Sequence, residues 1–463
     1  MRTIRDLAAD FRSKSVSPVS VAEETLGRIE RLNPRINCYI AVLRDSALHE
    51  AEQSEKRLEE GIPLGPLDGV PIAIKDLFYI KGVKCTAGSK ILADNIASYD
   101  STAVRRLKAA GAVLLGTTNL HEFAAGVTNV NPHYGAVRNP WNETRISGGS
   151  SGGSAVVVAS GLAAGAIGTD TAGSVRIPAS LCGVFGLKPT YGRVSRLGVI
   201  PLASSFDTVG TLTSCAWDAA AMLQVLAGHA VEDVTTSATE VPDYSSGMGT
   251  PLEGARVGVP KLYFHDSIDS SVEKIFEGFM GKVESMGCTI AEADFDGILE
   301  VGGSWLPIRR AEATAFHLRW LENSPSLYGD DVRKSLELGR QVRAVDYVNA
   351  QNARPLLIER FASSMKDCDV MAMPATSVPA TPIGQTNTEI AGKQVEVYTA
   401  LNRLTLPFNV VGFPAITLPA GLSAGLPVGV QLVARPFEEA SLLRFADSYE
   451  LKFGPYPDPP LTA

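Results

Sequence analysis

Residues 146–190 read ISGGSSGGSAVVVASGLAAGAIGTDTAGSVRIPASLCGVFGLKPT, a stretch in which Asp170, Arg176 and Lys188 are the only charges. A run this rich in glycine and serine admits three chemical readings. Glycine-rich turns expose backbone N–H groups and cradle phosphates. A P-loop, however, ends in Gly-Lys-Ser/Thr, and Gly153-Ser154-Ala155 does not supply it. The second reading is a nucleophile elbow, since Gly148-Gly149-Ser150-Ser151-Gly152 fits G-x-S-x-G. That motif belongs after a buried strand and needs a later Asp and His. Here it follows Asn139-Pro140-Trp141-Asn142, which reads as loop. The six histidines (His49, His121, His133, His229, His265, His317) stand in no telling context, though the fold is free to bring one close. The third reading places two serines, Ser150 and Ser174, in glycine-rich backbone beside a base that is not histidine. Consecutive N–H groups at Thr171, Ala172, Gly173 and Ser174 then cup a developing oxyanion. Lys75, directly after the apolar run 70–74, is the natural base, because burial lowers the pKa of a lysine. A lysine at a strand end is more often a solvated edge charge, so residue types alone leave these readings open.

Outward from this stretch, apolar runs alternate with helical patterns. Residues 70–74, 112–115, 256–259, 288–290, 369–373 and 428–433 are predicted strands. Helices are predicted over 45–60, 102–110, 272–286 and 438–451, the first stopped by Gly61 and the second by Gly111. Ser20 with Glu23 reads as a capping box opening an N-terminal helix that Asn33-Pro34 ends. Buried strands alternating with helices imply a mixed or largely parallel sheet covered on both faces. Residues 231–250, rich in Thr, Ser and Gly, read as a surface connection.

Composition narrows the class. The chain has 463 residues, 45% of them hydrophobic, and a formal net charge of -8. An acidic chain without basic blocks is a poor direct binder of nucleic acid or of an anionic membrane. The six cysteines are scattered without a C-x-x-C pair, which suits free thiols in a reducing cytoplasm. The opening Met1-Arg2-Thr3-Ile4-Arg5 lacks the apolar core of a signal peptide, so a cytoplasmic protein is expected.

Residues 146–190 closely resemble the signature of the amidase-signature family. The resemblance continues through Gly69-Val70-Pro71-Ile72-Ala73-Ile74-Lys75-Asp76, Gly116-Thr117-Thr118-Asn119, Tyr134-Gly135-Ala136, Pro407-Phe408-Asn409 and Gly425-Leu426-Pro427. It spans most of the chain in the family's order. Carried over position by position, it implies Ser174 as nucleophile, Ser150 as bridging serine behind a cis peptide, and Lys75 as general base. Thr171 to Ser174 form the implied oxyanion hole, with Ala172 where many members have glycine. Ser151, Asp170 and Arg176 are supporting residues, the last two expected to hold the loop as an ion pair. No metal or organic cofactor is implied.

The expected fold is one α/β/α domain over residues 1–463. Within it, 1–65 form a helical flank, 69–215 the catalytic core, and 216–463 the rest of the sheet and the pocket loops. The expected activity is hydrolysis of a small aryl, alkyl or other carboxamide through an acyl-enzyme on Ser174, by a monomer or homodimer. The alternative is the A subunit of a tRNA-dependent amidotransferase, working with B and C subunits. Asn402 stands where such subunits carry an acid for the glutamine α-amino group, which favours the free-standing hydrolase. Residues 125–131 and 305–320 are expected to wall the pocket.

Overall fold

In the computed structural model, which describes residues 2–462, an eleven-stranded sheet runs through the molecule. Its strands are β1 (Tyr39–Val42), β2 (Pro71–Lys75), β3 (Val113–Thr118), β4 (Gly165–Asp170), β5 (Phe185–Lys188) and β6 (Thr208–Thr213). They continue as β7 (Arg256–Val259), β8 (Thr289–Glu292), β9 (Val370–Pro374), β10 (Ala415–Ser423) and β11 (Leu426–Val433). The spatial order is β1-β3-β2-β4-β6-β5-β10-β11-β9-β7-β8. Parallel pairs, β3 with β2 with β4 and β9 with β7 with β8, flank a wholly antiparallel centre. The sheet is therefore mixed, and it takes strands from both ends of the chain.

Alternation along the strands shows why both faces are covered. On β2, Ile72 and Ile74 enter one apolar cluster while Ala73 enters another. On β3, Leu114 faces the first cluster and Val113 and Leu115 the second. The first face is closed by the helices Ile4–Ser13, Thr102–Ala109, Ala216–Leu226 and Glu439–Phe453. The second is closed by Pro18–Ile36, Arg44–Glu59 and Gly152–Ala159. Strands enclosed on both sides read as continuous apolar runs, and β2, β4, β6, β9 and β11 are buried at every residue.

Two local expectations fail at the N-terminal helix. The capping box is formed by Ser17 and Ser20, not by Ser20 and Glu23. Pro18 occupies the first helical position, where its missing N–H costs nothing, and this moves the start three residues upstream. The helix also runs past Pro34 to Ile36 and ends at Asn37, which sits in the left-handed region. The Asn37 side chain donates to the Tyr134 carbonyl at 2.6 Å, and this anchor fixes the exit of the chain. The N-terminal flank is not purely helical either, since β1 forms an edge of the main sheet. Among the described residues, no helix is long and apolar enough to cross a membrane.

Candidate active site

Lys75 closes β2 and is fully buried. Its Nζ lies 2.8 Å from Ser150 Oγ, 2.9 Å from Ser151 Oγ and 2.8 Å from Thr169 Oγ1. No carboxylate pairs with it within 4 Å among the described residues, so the amine sits among neutral hydroxyls. Burial lowers its pKa from 10.5 to about 7, and the more distant Asp170 and Asp207 hold it from falling further. A neutral amine has one lone pair to offer. Ser151 Oγ already donates to the Thr169 carbonyl at 3.2 Å, so the hydroxyl that donates to that lone pair is Ser150 or Thr169, and the amine N–H groups go to the other oxygens.

Ser150 follows a cis peptide from Gly149. The chain there presses on a neighbouring loop: a Cβ on Gly149 would lie 2.9 Å from the Asn129 nitrogen and 3.2 Å from the Val127 carbonyl carbon. The carbonyl of Ser150 accepts from the His121 backbone N–H at 3.2 Å, and that of Ser174 accepts from Ser151 N–H at 3.1 Å. These bonds knit the two serine loops together. Ser174 is 5% exposed, and among the described residues no hydrogen bond reaches its hydroxyl. The expected chain from Lys75 through Ser150 to Ser174 is thus formed in its first link, while Ser174 borders the cleft.

The loop carrying Ser174 is held from beneath. Arg176 donates Nη2–H to Asp170 Oδ1 at 2.9 Å and Nε–H to Oδ2 at 3.0 Å, both residues being fully buried. Its other donors reach the Thr405 carbonyl, Gln431 and Asn409. Burial pushes the Asp170 carboxyl up. Arg176, Lys188 and the hydrogen bonds outweigh it and hold the group well below the usual carboxylate range. Asp170 also takes the N–H of Gly173 at 2.8 Å and of Val175 at 3.1 Å. This amends the expected oxyanion hole. Gly173 gives its N–H to a carboxylate, and only those of Thr171, Ala172 and Ser174 lack a protein acceptor among the described residues. Gly173 has φ +120°, and a Cβ there would overlap Thr405 Oγ1. The Thr405 hydroxyl in turn donates to the Ala172 carbonyl at 2.7 Å.

None of the six histidines places its ring on Ser150 or Ser174. His121 meets Asp331 at 2.9 Å and His133 meets Glu122 at 2.9 Å, both in the outer wall of the cleft. His317 binds the Tyr328 hydroxyl. The histidine-based reading therefore has no geometry behind it. Among the described residues, no group of three or more His, Cys, Asp or Glu side chains is arranged to hold a metal ion.

Ser174 opens onto a narrow throat shared with Thr171, Ala172 and Leu202. The throat widens into an outer cleft of about 1090 Å³. Ala125, Gly126, Val127, Trp305, Arg309 and Tyr398 line both. The expected wall segments, 125–131 and 305–320, thus supply much of the lining, and residues 328–331, 384–387 and 396–398 supply further parts of it. Several participants were not singled out from sequence. Thr169 and Asn409 lie inside stretches that carried the resemblance, so their signal was present. Asp207, which accepts from Thr171 Oγ1 at 2.6 Å, and Arg309 carry no local motif.

The model of the family described as Amidase matches residues 20–443. The A subunit of glutamyl-tRNA(Gln) amidotransferase from Coxiella burnetii is 39% identical over 473 aligned residues, covering 97% of each chain. Among solved structures, a protein complex described as revealing the evolutionary origins of an s-triazine catabolic enzyme matches with TM-score 0.94 and 33% identity. That match covers 99% of this chain and 100% of the other. The A subunit of glutamyl-tRNA(Gln) amidotransferase from Thermotoga maritima matches with TM-score 0.81 and 30% identity, covering 98% of this chain and 99% of the other. On the family model and the length of these matches, the chain belongs to the amidase family, of the amidase-signature fold, and is an amidohydrolase acting on carbon–nitrogen bonds.

Proposed function

We propose that the protein hydrolyses a primary amide through an acyl-enzyme on Ser174, with Ser150 and neutral Lys75 as its proton relay. The single observation that carries this is the buried Lys75 amine on Ser150 Oγ at 2.8 Å, with no acid within 4 Å of it among the described residues. Ser174 Oγ attacks the amide carbon as its proton passes to Ser150 and that of Ser150 to Lys75. The N–H groups of Thr171, Ala172 and Ser174 receive the oxyanion. The carbon–nitrogen bond breaks as the relay returns the proton to nitrogen, so that ammonia leaves rather than an amide anion. Water then adds to the ester by the same relay and frees the carboxylic acid. Asp170 and Arg176 act beneath the loop and keep it in shape.

For the physiological role, the curated relatives support the A component of a tRNA-dependent amidotransferase over the free-standing hydrolase expected from sequence. In that role the amide is glutamine, and the ammonia passes to a partner protein. One observation favours the free-standing reading. Asn402, in place of the expected acid, is 4% exposed with its Nδ2 lacking a partner among the described residues, so no carboxylate stands there for an α-amino group. The purified chain, assayed alone for ammonia release from glutamine and benzamide and again with amidotransferase B and C subunits and tRNA, decides between them. Glutaminase activity that appears with the partners supports the amidotransferase role. Turnover of benzamide unaffected by them contradicts it.

A further inference from the structure

Arg309 lies on the helix Val301–Asn323 and is 7% exposed. Among the described residues no carboxylate comes within 4 Å of it, and its one hydrogen bond goes from Nη1 to the neutral Ser335 hydroxyl. A buried guanidinium is ordinarily paired, because leaving a charge uncompensated out of water is costly. The acids nearby are committed elsewhere. Asp331 pairs with His121, Asp330 with Arg333, and Glu122 with Ser89 and His133. Glu312 on the same helix takes Ser205 and Tyr347. The neighbouring His317 adds no second cation, since burial pushes it down to about 3, with Arg309 adding to the shift, and its ring stays neutral. Arg310, next in the chain, also lacks an acid partner among the described residues, and its Nε is buried without an acceptor. Arg309 borders the same throat as Ser174 and continues into the outer cleft, where Arg310 joins it.

Resting on the amidase reading above, we infer that the amide cleaved at Ser174 belongs to a small molecule that also carries a carboxylate, and that Arg309 binds that carboxylate. A planar guanidinium with its remaining donors facing a cleft matches a carboxylate in two parallel hydrogen bonds. Because both groups border one narrow throat, the carboxylate lies only a few bonds from the scissile carbonyl. Glutamine and any other carboxamide acid meet Arg309 in the same way, and Arg309 discriminates against neutral amides.

The test uses the purified full chain and a fluorophosphonate probe for Ser174. Absence of labelling would mean that the amidase reading itself has failed, independently of Arg309. With labelling in hand, malonate, succinate and glutarate are compared with their neutral diamides as protectants, and as ligands raising the thermal midpoint. At least one diacid should protect roughly tenfold better than its diamide, a factor worth about 1.4 kcal/mol. That preference should vanish in Arg309→Gln and return in part in Arg309→Lys. Arg309→Met, which removes an uncompensated buried charge, should unfold no lower than the parent and lose the diacid-induced shift. A parent enzyme whose labelling no diacid slows, or an Arg309→Gln variant that keeps the preference for diacids, would overturn the inference.

Discussion

Lys75, enclosed at a strand end with three hydroxyls on its nitrogen, has no carboxylate within 4 Å among the described residues to stabilise a charge. Its pKa near 7 against 10.5 for an exposed lysine gives two outcomes of opposite kind. Activity through the neutral amine should rise with pH and be half-maximal near 7, seen as the acidic limb of a kcat/KM profile. For stability the sign is that of a base that binds its proton less tightly folded than unfolded. The penalty is present in full below the folded pKa and fades as pH rises toward 10.5. Lys75→Met should therefore abolish turnover and improve relative stability more at pH 7 than at pH 10, as denaturant midpoints at both values would record. The orphaned hydroxyls cost the same at each pH, so the difference isolates the charge. Asp170 has the reverse character. Asp170→Asn leaves Arg176 buried and unpaired, and should cost about 3–5 kcal/mol in equilibrium unfolding. Lys75 was legible as a candidate from its place after an apolar run, but its burial was not, because a strand end looks the same whether covered or exposed.

Between β4 and the helix Arg176–Cys182, a six-residue spacing lets one carboxylate serve both the arginine side chain and the backbone of the loop carrying Ser174. The element is a turn built around Asp170, and Gly173 is the residue it tolerates there. Gly173→Ala places a methyl against Thr405 and forces an alanine to φ +120°. It should cost roughly 1–3 kcal/mol of stability and slow acylation of Ser174 by more than it weakens substrate binding, a split that kcat against KM would show. The elements around this turn were not legible: β4, β5, β6 and the helix Arg176–Cys182 lie in stretches too rich in Gly, Ser and Thr to read as apolar runs, whereas β2, β9 and β11, which are nearly unbroken apolar runs, were. At the N-terminal helix, Pro18 at the first helical position shifts a cap, and Asn37 anchors an exit beyond Pro34. The carboxylate's claim on the Gly173 N–H was not legible, since sequence does not say which of several acceptors a loop donor will meet.

Across the whole molecule, the sheet gathers Lys75 from β2, the turn after β4, and Gln431 from β11 into one site. Residues far apart in sequence thus depend on one another: Arg176 bonds to Thr405, Asn409 and Gln431, more than 220 positions away. The resemblance of the signature made the serines and the lysine legible together, while Arg309 emerged only from burial and missing partners, which no motif records. In the mechanism we propose, these parts are joined by the Ser174 hydroxyl, activated through Lys75 and Ser150. Peptide mapping of the fluorophosphonate-treated protein tests that directly. One adduct is expected, on Ser174, formed at least about a hundredfold more slowly in Lys75→Ala and unaffected in its position by any histidine substitution. An adduct on Ser150 or Ser151 instead, or labelling of Ser174 at the parent rate in Lys75→Ala, would contradict it.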